Sequence, residues 1–386
     1  MRRIPVQERP EWKSLAESLG FSFHTMYGHP YWDETAYYLF TLKQIEDDLE
    51  DPSTELTSLC YEVADRAARD EEVLRKLAIP EPYWDLVRNS WLNGEGELYG
   101  RFDLRYDGNG PAKLYEYNAD TPTSLYESAF FQWVWLEQAM EQNLIPQGYD
   151  QFNSIQERLV ETFTTMGDEV PLHMACSRGN EEDEGTVRYL QDCAVQAGVK
   201  TVFMNMEDIG LSPMNLFVDL DNRPIQRLFK LYPWEWMFEE EFGKHVLNSK
   251  TQFIEPPWKA ILSNKGLLAL LWEMFPGHPN LLPAYFENDP AADNLGRDYI
   301  RKPLLSREGD NVTVYEDGVD VFSSDGEYGD GPFVLQELNM PPLFDGNYPV
   351  IGSWIVNGKP SGIGIREDTG PITRNLSRFL PHAIEG

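Results

Sequence analysis

One stretch of the chain sets carboxylate, amide and guanidinium side chains at two-residue spacing, in the pattern of a β-hairpin. Residues 99–106 and 113–118 alternate polar with apolar side chains, and Asp-Gly-Asn-Gly-Pro at 107–111 lies between them. A period of two predicts strands, and the Asp/Gly/Asn/Pro run predicts a turn. If the hairpin closes with Tyr106 opposite Lys113, the polar side chains of both strands share one face.

Two carboxylates meet on that face, because Asp103 then lies opposite Glu116. Directly opposed like charges, with Cβ atoms roughly 5 Å apart, destabilise a sheet unless something compensates them. A divalent cation does so, since Mg²⁺ accepts carboxylate and amide oxygens while it keeps waters and substrate phosphates. Asp103, Glu116 and Asn118 are therefore candidate magnesium ligands, with Arg101, opposite Asn118, as the partner of an anion. An exposed hairpin whose charges are only solvated fits the spacing equally well.

Composition narrows the class of protein. The 386 residues allow two or three domains with substantial cores. With 32 basic and 64 acidic residues the formal charge is −32, which argues against nucleic acid or an anionic membrane surface as a partner. The three cysteines form no CxxC pattern, and no apolar run is long enough to span a membrane. We expect a cytoplasmic protein, and the oligomeric state stays open.

The elements that position the hairpin fall into four predicted segments. Residues 1–95 are expected to be mostly helical, with one helix running from Trp32 through Ala36 to Leu49 and another over 54–76. The hairpin and a helix from Leu125 to Gln142 occupy residues 96–150. An α/β unit follows at 151–255, with a helix beginning at Thr186. Residues 256–386 carry a helix over 265–275 and several strands.

Six short motifs are spread along the chain in a fixed order: Arg-Phe-Asp at 101–103, Glu-Tyr-Asn-Ala-Asp at 116–120, Leu-Ser-Asn-Lys at 262–265, Arg-Lys-Pro at 301–303 with the polar loop after it, Leu-Gln-Glu-Leu at 335–338, and Gly-Ile-Arg at 364–366. Together they resemble the ATP-grasp carboxylate–amine ligases of the glutathionylspermidine synthetase family, most closely its short, synthetase-only members. The resemblance covers nearly the whole chain. It implies an α+β fold: an ATP-grasp fold with a helical N-terminal region and an α/β pre-ATP-grasp-like layer, in which residues 256–386 form the lid and nucleotide-binding region.

The resemblance also assigns chemistry to individual residues. Asp103, Glu116 and Asn118 match the family's magnesium ligands, which agrees with the cross-strand argument. Arg101 and Arg366 match the two arginines that stabilise the transferred phosphoryl group and the acyl phosphate, and phosphoryl transfer depends mainly on such positioning and charge neutralisation. The implied cofactors are ATP and Mg²⁺, the latter as two ions.

ATP contacts are implied at three places. Two lysines match those that touch the nucleotide phosphates, the loop at 306–311 matches a glycine-containing flap, and residues 336–338 match the hinge against adenine. The cofactor-binding residues expected on this basis are Lys265, Lys302, Ser306, Gly309, Gln336, Glu337 and Leu338.

The substrates are implied less directly. The turn with Thr121, Thr123 and Ser124 matches the place beside the family's peptide acid, but threonines replace serines, and Ser124 stands where the glutathione-using enzyme has a cysteine. Glu181 and Glu182 match acidic residues on the amine side. The expected partners are small molecules: an acid that resembles glutathione and a polyamine.

The implied activity is ATP-dependent formation of an amide bond through an acyl phosphate, with release of ADP and phosphate and without amidase activity. Two alternatives remain. A glycoside hydrolase would suit paired carboxylates and abundant tryptophan, but it leaves Lys265, Lys302 and the loop after it unexplained. A non-catalytic nucleotide- or peptide-binding module of ATP-grasp fold would need the lysines but not the two arginines.

Overall fold

The computed structural model describes residues 1–167, 169–307, 309–326, 328–329, 331–374 and 377–386. Strands in these ranges, in chain order, are β1 Arg2–Pro5, β2 Thr25–Met26, β3 His29–Pro30, β4 Ala36–Thr41, β5 Tyr99–Arg105, β6 Lys113–Asn118, β7 Leu172–Cys176, β8 Thr201–Asn205, β9 Gly210–Leu211, β10 Phe217–Val218, β11 Arg227–Leu231, β12 Gln252–Ile254, β13 Ala284–Phe286, β14 Tyr299–Pro303, β15 Thr313–Glu316, β16 Val319–Ser323, β17 Phe333–Glu337, β18 Tyr348–Val356, β19 Lys359–Asp368, β20 Arg378–Leu380 and β21 His382–Glu385.

The α-helices in the same ranges are α1 Trp12–Ser18, α2 Leu42–Ile45, α3 Asp51–Arg69, α4 Glu71–Lys76, α5 Trp84–Leu92, α6 Gln132–Glu141, α7 Ile155–Thr165, α8 Glu181–Gln196, α9 Trp234–Glu239, α10 Lys259–Leu262 and α11 Gly266–Met274. Glu46–Glu50 and Glu127–Phe131 are π-helical, and Glu81–Tyr83, Met206–Asp208, Phe242–Asn248 and Pro290–Leu295 are 3₁₀ turns. Within the described ranges, no helix combines the length and apolarity needed to cross a bilayer.

The predicted hairpin exists as β5 and β6, and it forms one edge of a five-stranded sheet. The strand order is β20-β19-β18-β5-β6, so the hairpin pairs with strands from the C-terminal part of the chain. Tyr99 in β5 lies parallel to Trp354 in β18, with ring centroids 6.1 Å apart and an interplanar angle of 8°. Because both rings are fully buried, this aromatic pair helps to hold β5 of the hairpin against the neighbouring strand β18.

The predicted register is confirmed at the polar residues and is wrong at the turn. Asp103 pairs with Glu116 and Arg101 with Asn118, as expected. A bulge between Asp103 and Leu104 then shifts the register by one residue, so that Lys113 pairs with Arg105 instead of Tyr106. A bulge adds one residue to one strand of a pair, and a two-residue period on each strand separately does not show it.

The expected helix from Trp32 to Leu49 is wrong over its first part, where β4 forms. Apolar residues at 36, 39 and 40 suit a helix, but Tyr37, Tyr38, Phe40 and Thr41 are strand formers. The deciding factor is distant in sequence, because β4 pairs on one side with β1 and on the other with β21, in the order β1-β4-β21. Pairing with strands from the two ends of the chain therefore overrides the local helical pattern.

The α/β unit is a four-stranded parallel sheet in the order β12-β11-β7-β8. Helix α8 begins at Glu181, earlier than the predicted Thr186, because the Asn180 side chain accepts hydrogen bonds from the backbone N–H groups of Glu182 and Asp183. The acidic run therefore forms the first turn of the helix, where it complements the helix dipole.

A second five-stranded sheet, in the order β13-β17-β14-β15-β16, carries the C-terminal lysine motif. Lys302 on β14 pairs with Val334 on β17, and Gln336 lies two residues further along β17. This sheet faces the hairpin across a cleft, since Lys302 donates a hydrogen bond to the Tyr115 carbonyl of β6 at 3.1 Å.

Candidate active site

A cleft of about 1080 Å³, open to solvent, lies between the hairpin and the second five-stranded sheet. It brings together residues that the sequence spreads over most of the chain. The predicted site residues that line it are Arg101, Asp103, Glu116, Asn118, Thr121, Thr123, Lys265, Lys302, Gly309 and Arg366.

Arg101 and Asp103 form a buried ion pair at the floor of the cleft. Arg101 donates from Nε to Asp103 Oδ1 at 2.6 Å and from Nη2 to Oδ2 at 3.1 Å. Both side chains are 7 % exposed. Burial by itself would lower the pKa of Arg101, but Asp103 more than offsets this and raises it. Arg366 Nη2 lies 3.8 Å from the same carboxylate, so two guanidinium groups flank Asp103.

Glu116 is held ionised by two lysines from different elements. Lys265, which directly precedes α11, places its Nζ 3.2 Å from Glu116 Oε2. Burial would raise the pKa of Glu116, but the charges of Lys265 and Lys302 lower it to about 2. Lys302 donates to Gln336 Oε1 at 2.8 Å, and burial lowers its pKa to about 8. Lys302 therefore loses its ammonium charge in a pH range, above about 8, in which ordinary lysines stay protonated.

The three predicted metal ligands converge, although the charge argument used to find them needs correction. The opposed carboxylates are already compensated, Asp103 by arginines and Glu116 by lysines. A cation is therefore not required to make the hairpin stable. Among the described residues no group of three His, Cys, Asp or Glu side chains could hold a metal ion.

The donor set still fits a magnesium ion that keeps waters and substrate phosphates. The Asn118 amide lies between the carboxylates, 3.2 Å from Asp103 Oδ2 and 3.3 Å from Glu116 Oε1. The amide nitrogen faces them here, and rotating the amide would present its oxygen instead. Two carboxylates and one amide oxygen are the hard ligands that Mg²⁺ selects.

The turn after β6 lies against Arg101 and Arg307. Arg101 Nη1 donates to the Thr123 carbonyl at 2.7 Å and to Ser124 Oγ at 3.2 Å. Ser124 has a φ of +67°, a left-handed conformation that costs a non-glycine residue free energy and is concentrated at functional sites. Arg307 donates to Thr121 Oγ1 and lies 3.4 Å from Glu235, which ties the loop after β14 to this turn.

Some predicted nucleotide contacts lie behind the cleft surface. Ser306 is buried, and its carbonyl accepts a hydrogen bond from Lys265 Nζ at 2.5 Å. Gln336 is 1 % exposed and donates to the Leu114 carbonyl at 3.0 Å, so it positions Lys302 and does not line the cleft. Glu337 is exposed and Leu338 half-buried at the end of the same strand. Of the predicted flap 306–311, Glu308 lies outside the described residues.

The predicted amine-side residues lie apart from the cleft lining. Glu181 is exposed, and Glu182 accepts a hydrogen bond from the Tyr31 hydroxyl at 2.9 Å. Glu127, which is 1 % exposed, lies close to Glu182 and to the Tyr31 hydroxyl. Burial, followed by the charge of Glu182, raises the pKa of Glu127 to about 8.

Sequence reasoning missed three features of the site. Arg307 was within the predicted flap but was not singled out, although arginine is over-represented where carboxylate or phosphate groups are bound. Glu127 lies within the helix predicted from Leu125 to Gln142, but it was not singled out. An apolar wall, which no motif indicates because its members come from separate strands and loops, completes the cleft with Ile300, Val312, Val314, Met340 and Pro341.

Comparison with known proteins gives matches along the whole chain. A family model described as glutathionylspermidine synthase preATP-grasp matches residues 3–385. A Haemophilus influenzae protein named "Putative acid–amine ligase" is 42% identical over 99% of each chain. The trypanothione synthetase of Crithidia fasciculata is 29% identical over 86% of this chain, which spans 54% of that longer relative.

Solved structures support the fold independently of sequence. A glutathione synthetase-like effector from Globodera pallida superposes with a TM-score of 0.56 over 90% of this chain and 89% of its own, at 14% identity. At that identity the likeness concerns the fold alone. The mixed α/β arrangement of this chain is therefore one that glutathione synthetase-like proteins share.

Proposed function

Since the chain belongs to the glutathionylspermidine synthase family and is a ligase that forms carbon–nitrogen bonds, we propose that it joins a carboxylic acid to an amine in an ATP-dependent reaction within an ATP-grasp fold. ATP phosphorylates the substrate carboxylate, and the amine nitrogen then attacks the acyl carbon. The products are the amide, ADP and phosphate, and the attacking ammonium gives up its proton before it attacks.

The charge of the cleft is the observation that carries this proposal. Among the described residues that line it, five are basic and two are acidic, in a chain whose formal charge is −32. Such a local reversal of sign attracts and holds a polyanion such as a triphosphate. The apolar wall of Ile300, Val314 and Met340 on the opposite side suits the flat face of a nucleobase.

The side chains then divide the chemistry of phosphoryl transfer. Asp103, Glu116 and Asn118 hold magnesium, as two ions, and when bound the metal neutralises the charge that develops on the phosphate oxygens. Lys265 and Lys302 would contact the phosphates, which would leave Glu116 available to hold the metal. No nucleophilic side chain is needed in this mechanism.

Two arginines complete the site for the reacting groups. Arg101 and Arg366 both reach Asp103, and they stabilise the transferred phosphoryl group and the acyl phosphate. Arg307 lies on the other side of the acid turn, where it contacts Thr121. A substrate carboxylate placed at Thr121, Thr123 and Ser124 would therefore meet arginines from two directions.

The acid and the amine are proposed as classes. The turn at 121–124 takes the carboxylate of an acid that resembles glutathione. In this turn Ser124 occupies the position at which the glutathione-using enzyme has a cysteine. Glu181 and Glu182 supply the negative charge that a polyamine requires. This acidic group gives the amine a recognition site separate from the basic cleft.

Mass spectrometry of acid and amine pairs incubated with ATP and Mg²⁺ tests the proposal. We expect a product whose mass equals acid plus amine minus water, formed only when both cofactors are present, with one ADP released per product. Arg366→Ala should lower turnover about 100-fold or more and change nucleotide affinity little. Arg69→Ala is the matched control, because it removes an exposed arginine that is not among the residues lining the cleft.

Two results would contradict the proposal at different levels. Turnover unaffected by Arg366→Ala would refute the role of this arginine and leave the ligase reaction standing. A pair of substrates joined without consumption of ATP would refute the reaction itself.

A further inference from the structure

A second cavity, of about 920 Å³ including its open mouth, lies beside the parallel sheet and outside the cleft. Among the described residues, none lines both this cavity and the cleft. Strand β11, helix α9 and the 3₁₀ turn Phe242–Asn248 enclose it, together with the segment around Met206–Asp208. Concave, mostly apolar cavities with a few polar groups at the rim are the usual form of small-molecule sites.

The inner surface of the cavity is apolar. Phe217, Leu228, Met237, Val246 and Phe253 are each 6 % exposed or less. An aliphatic or aromatic group that filled the cavity would bury this surface and its own, at roughly 25 cal/mol per Å² of apolar area. The cavity therefore favours the apolar part of a ligand.

The mouth of the cavity is acidic. Glu207 and Glu240 are the charged side chains among the described lining residues, and both are exposed. The Tyr232 hydroxyl donates to Glu240, and the backbone N–H of Arg178 donates to Glu207 at 3.2 Å, while the Arg178 side chain turns to Asp208. The Arg178 guanidinium is thus directed to Asp208 and not to either glutamate of the mouth.

The chain after α9 packs closely against the backbone of that helix where it forms the wall of the cavity. A Cβ at Gly243 would lie 1.6 Å from the Met237 carbonyl oxygen, so only glycine allows this approach. Phe242, next to it, lines the cavity and is 42 % exposed. A large exposed aromatic ring at the mouth of an apolar cavity is the arrangement expected of a binding site.

From this combination we propose that the cavity binds an amphipathic organic cation, an alkyl chain that enters the apolar chamber and ends in an ammonium group at Glu207 and Glu240. Helix α9 separates this ligand from the cleft. Met237 lines the cavity, whereas Glu235, about 200° around the helix, contacts Arg307 of the cleft. The site is therefore distinct from the cleft, although one helix contacts both.

Calorimetric titration with n-octylammonium, n-octanol and n-octanoate tests the proposal, because these probes share a chain and differ in head-group charge. We expect saturable binding of n-octylammonium at one molecule per chain. Octanol should bind about fivefold more weakly, which is the size of an exposed ion pair of roughly 1 kcal/mol, and octanoate more weakly still. Saturating ADP with Mg²⁺ should leave the affinity for n-octylammonium unchanged.

Two kinds of variant separate the head-group site from the chamber. The double variant Glu207→Gln with Glu240→Gln should reduce the affinity for n-octylammonium to that for octanol, while Glu239→Gln, a neighbouring exposed glutamate outside the lining, should not. Leu228→Trp should fill the chamber and abolish binding of all three probes, and its melting temperature shows whether it folds.

Several outcomes would overturn the proposal. These are the absence of saturable n-octylammonium binding, octanoate binding as tight as that of the amine, and loss of binding in the presence of ADP, which would place the probe in the cleft. Because the glutamine variants change only exposed groups, they decide the question even if Leu228→Trp does not fold.

Discussion

Lys302 and Glu116 illustrate how neighbouring charges set the state of a buried group. Lys302 is buried and Glu116 is half-buried, yet the pKa of Glu116 falls to about 2 because lysine charges outweigh the loss of solvent. The pKa of Lys302 falls to about 8, because burial outweighs the attraction of Glu116. Glu116 therefore stays ionised at any working pH, while Lys302 titrates just above neutrality.

Nucleotide affinity should depend on this titration. Below a pH of about 8 Lys302 carries its proton and can pair with a phosphate, and as the pH rises through that value the charge is lost. We expect the Kd for ADP, measured at constant Mg²⁺, to increase by about tenfold or more above pH 8, since a charge-assisted hydrogen bond contributes roughly 1.5–3 kcal/mol.

Lys302→Met is the control for this prediction. It should bind ADP weakly at every pH and lose the rise in Kd above pH 8, because the titrating group is absent. If the variant keeps the same pH dependence as the original chain, another group is responsible and the role given to Lys302 is wrong.

Among the elements, strand β18 matters most for the site although it contributes no proposed ligand. Gly352 on β18 pairs with Asp103 on one side and with Gly364 on the other. A Cβ at Gly352 would lie 2.6 Å from Arg101 Cδ, and one at Gly364 would lie 2.2 Å from Ser128 Oγ. Gly352 therefore leaves the space in which Arg101 packs against Asp103, and Gly364 leaves space for Ser128.

Gly352→Ala should displace Arg101 and lower turnover by about tenfold or more, because misplacement of a catalytic group by about 1 Å is that costly. Overpacking should also reduce the free energy of unfolding by about 1–3 kcal/mol. Steady-state kinetics and urea unfolding measure the two effects. Gly96→Ala, at a glycine whose added Cβ would meet nothing within 4 Å, is the matched control. Equal turnover in both variants would contradict the spacing argument.

At the scale of the whole molecule, the two ends of the chain meet in one sheet. Strand β21 pairs in parallel with β4, and His382 at its start is fully buried. The His382 ring bonds to Gln132 Oε1 through Nδ1 at 2.8 Å, and its Nε2 accepts from the Phe152 N–H at 3.2 Å. Burial lowers the pKa of His382 to about 3, and a proton on Nε2 would face a second donor.

Stability should therefore fall in mild acid. The unfolded chain protonates this histidine below pH 6.5, whereas the folded chain keeps it neutral down to about 3. The unfolded state then binds more protons, so the free energy of unfolding decreases as the pH falls, by about 1.4 kcal/mol per pH unit for this one group.

Urea unfolding at about pH 7, 6 and 5 measures the slope. His382→Gln should be less stable at neutral pH. Its free energy of unfolding should also fall less steeply as the pH falls, because one proton fewer is taken up on unfolding. The difference between the two slopes isolates this histidine from carboxylates, which titrate mainly at lower pH. Identical slopes would show that His382 titrates alike in both states.

Much of the site could be predicted from local signals in the sequence. The period of two in β5 and β6 placed Asp103 opposite Glu116, because side chains alternate along any strand and the register near the polar residues leaves few choices. The helix predicted over 265–275 was also found near its expected bounds, as α11. The motif order predicted the family, since each motif reflects a local chemical requirement.

The tertiary structure decided what depends on partners distant in sequence. It made residues 36–41 a strand, because β1 and β21 supply hydrogen bonds on both sides. It placed arginines and lysines against the hairpin carboxylates, and it buried Gln336 behind Lys302. Side-chain alternation along a strand is a property of the local backbone. Contacts across the cleft and between the two ends of the chain join residues distant in sequence, so they form only when the whole chain folds.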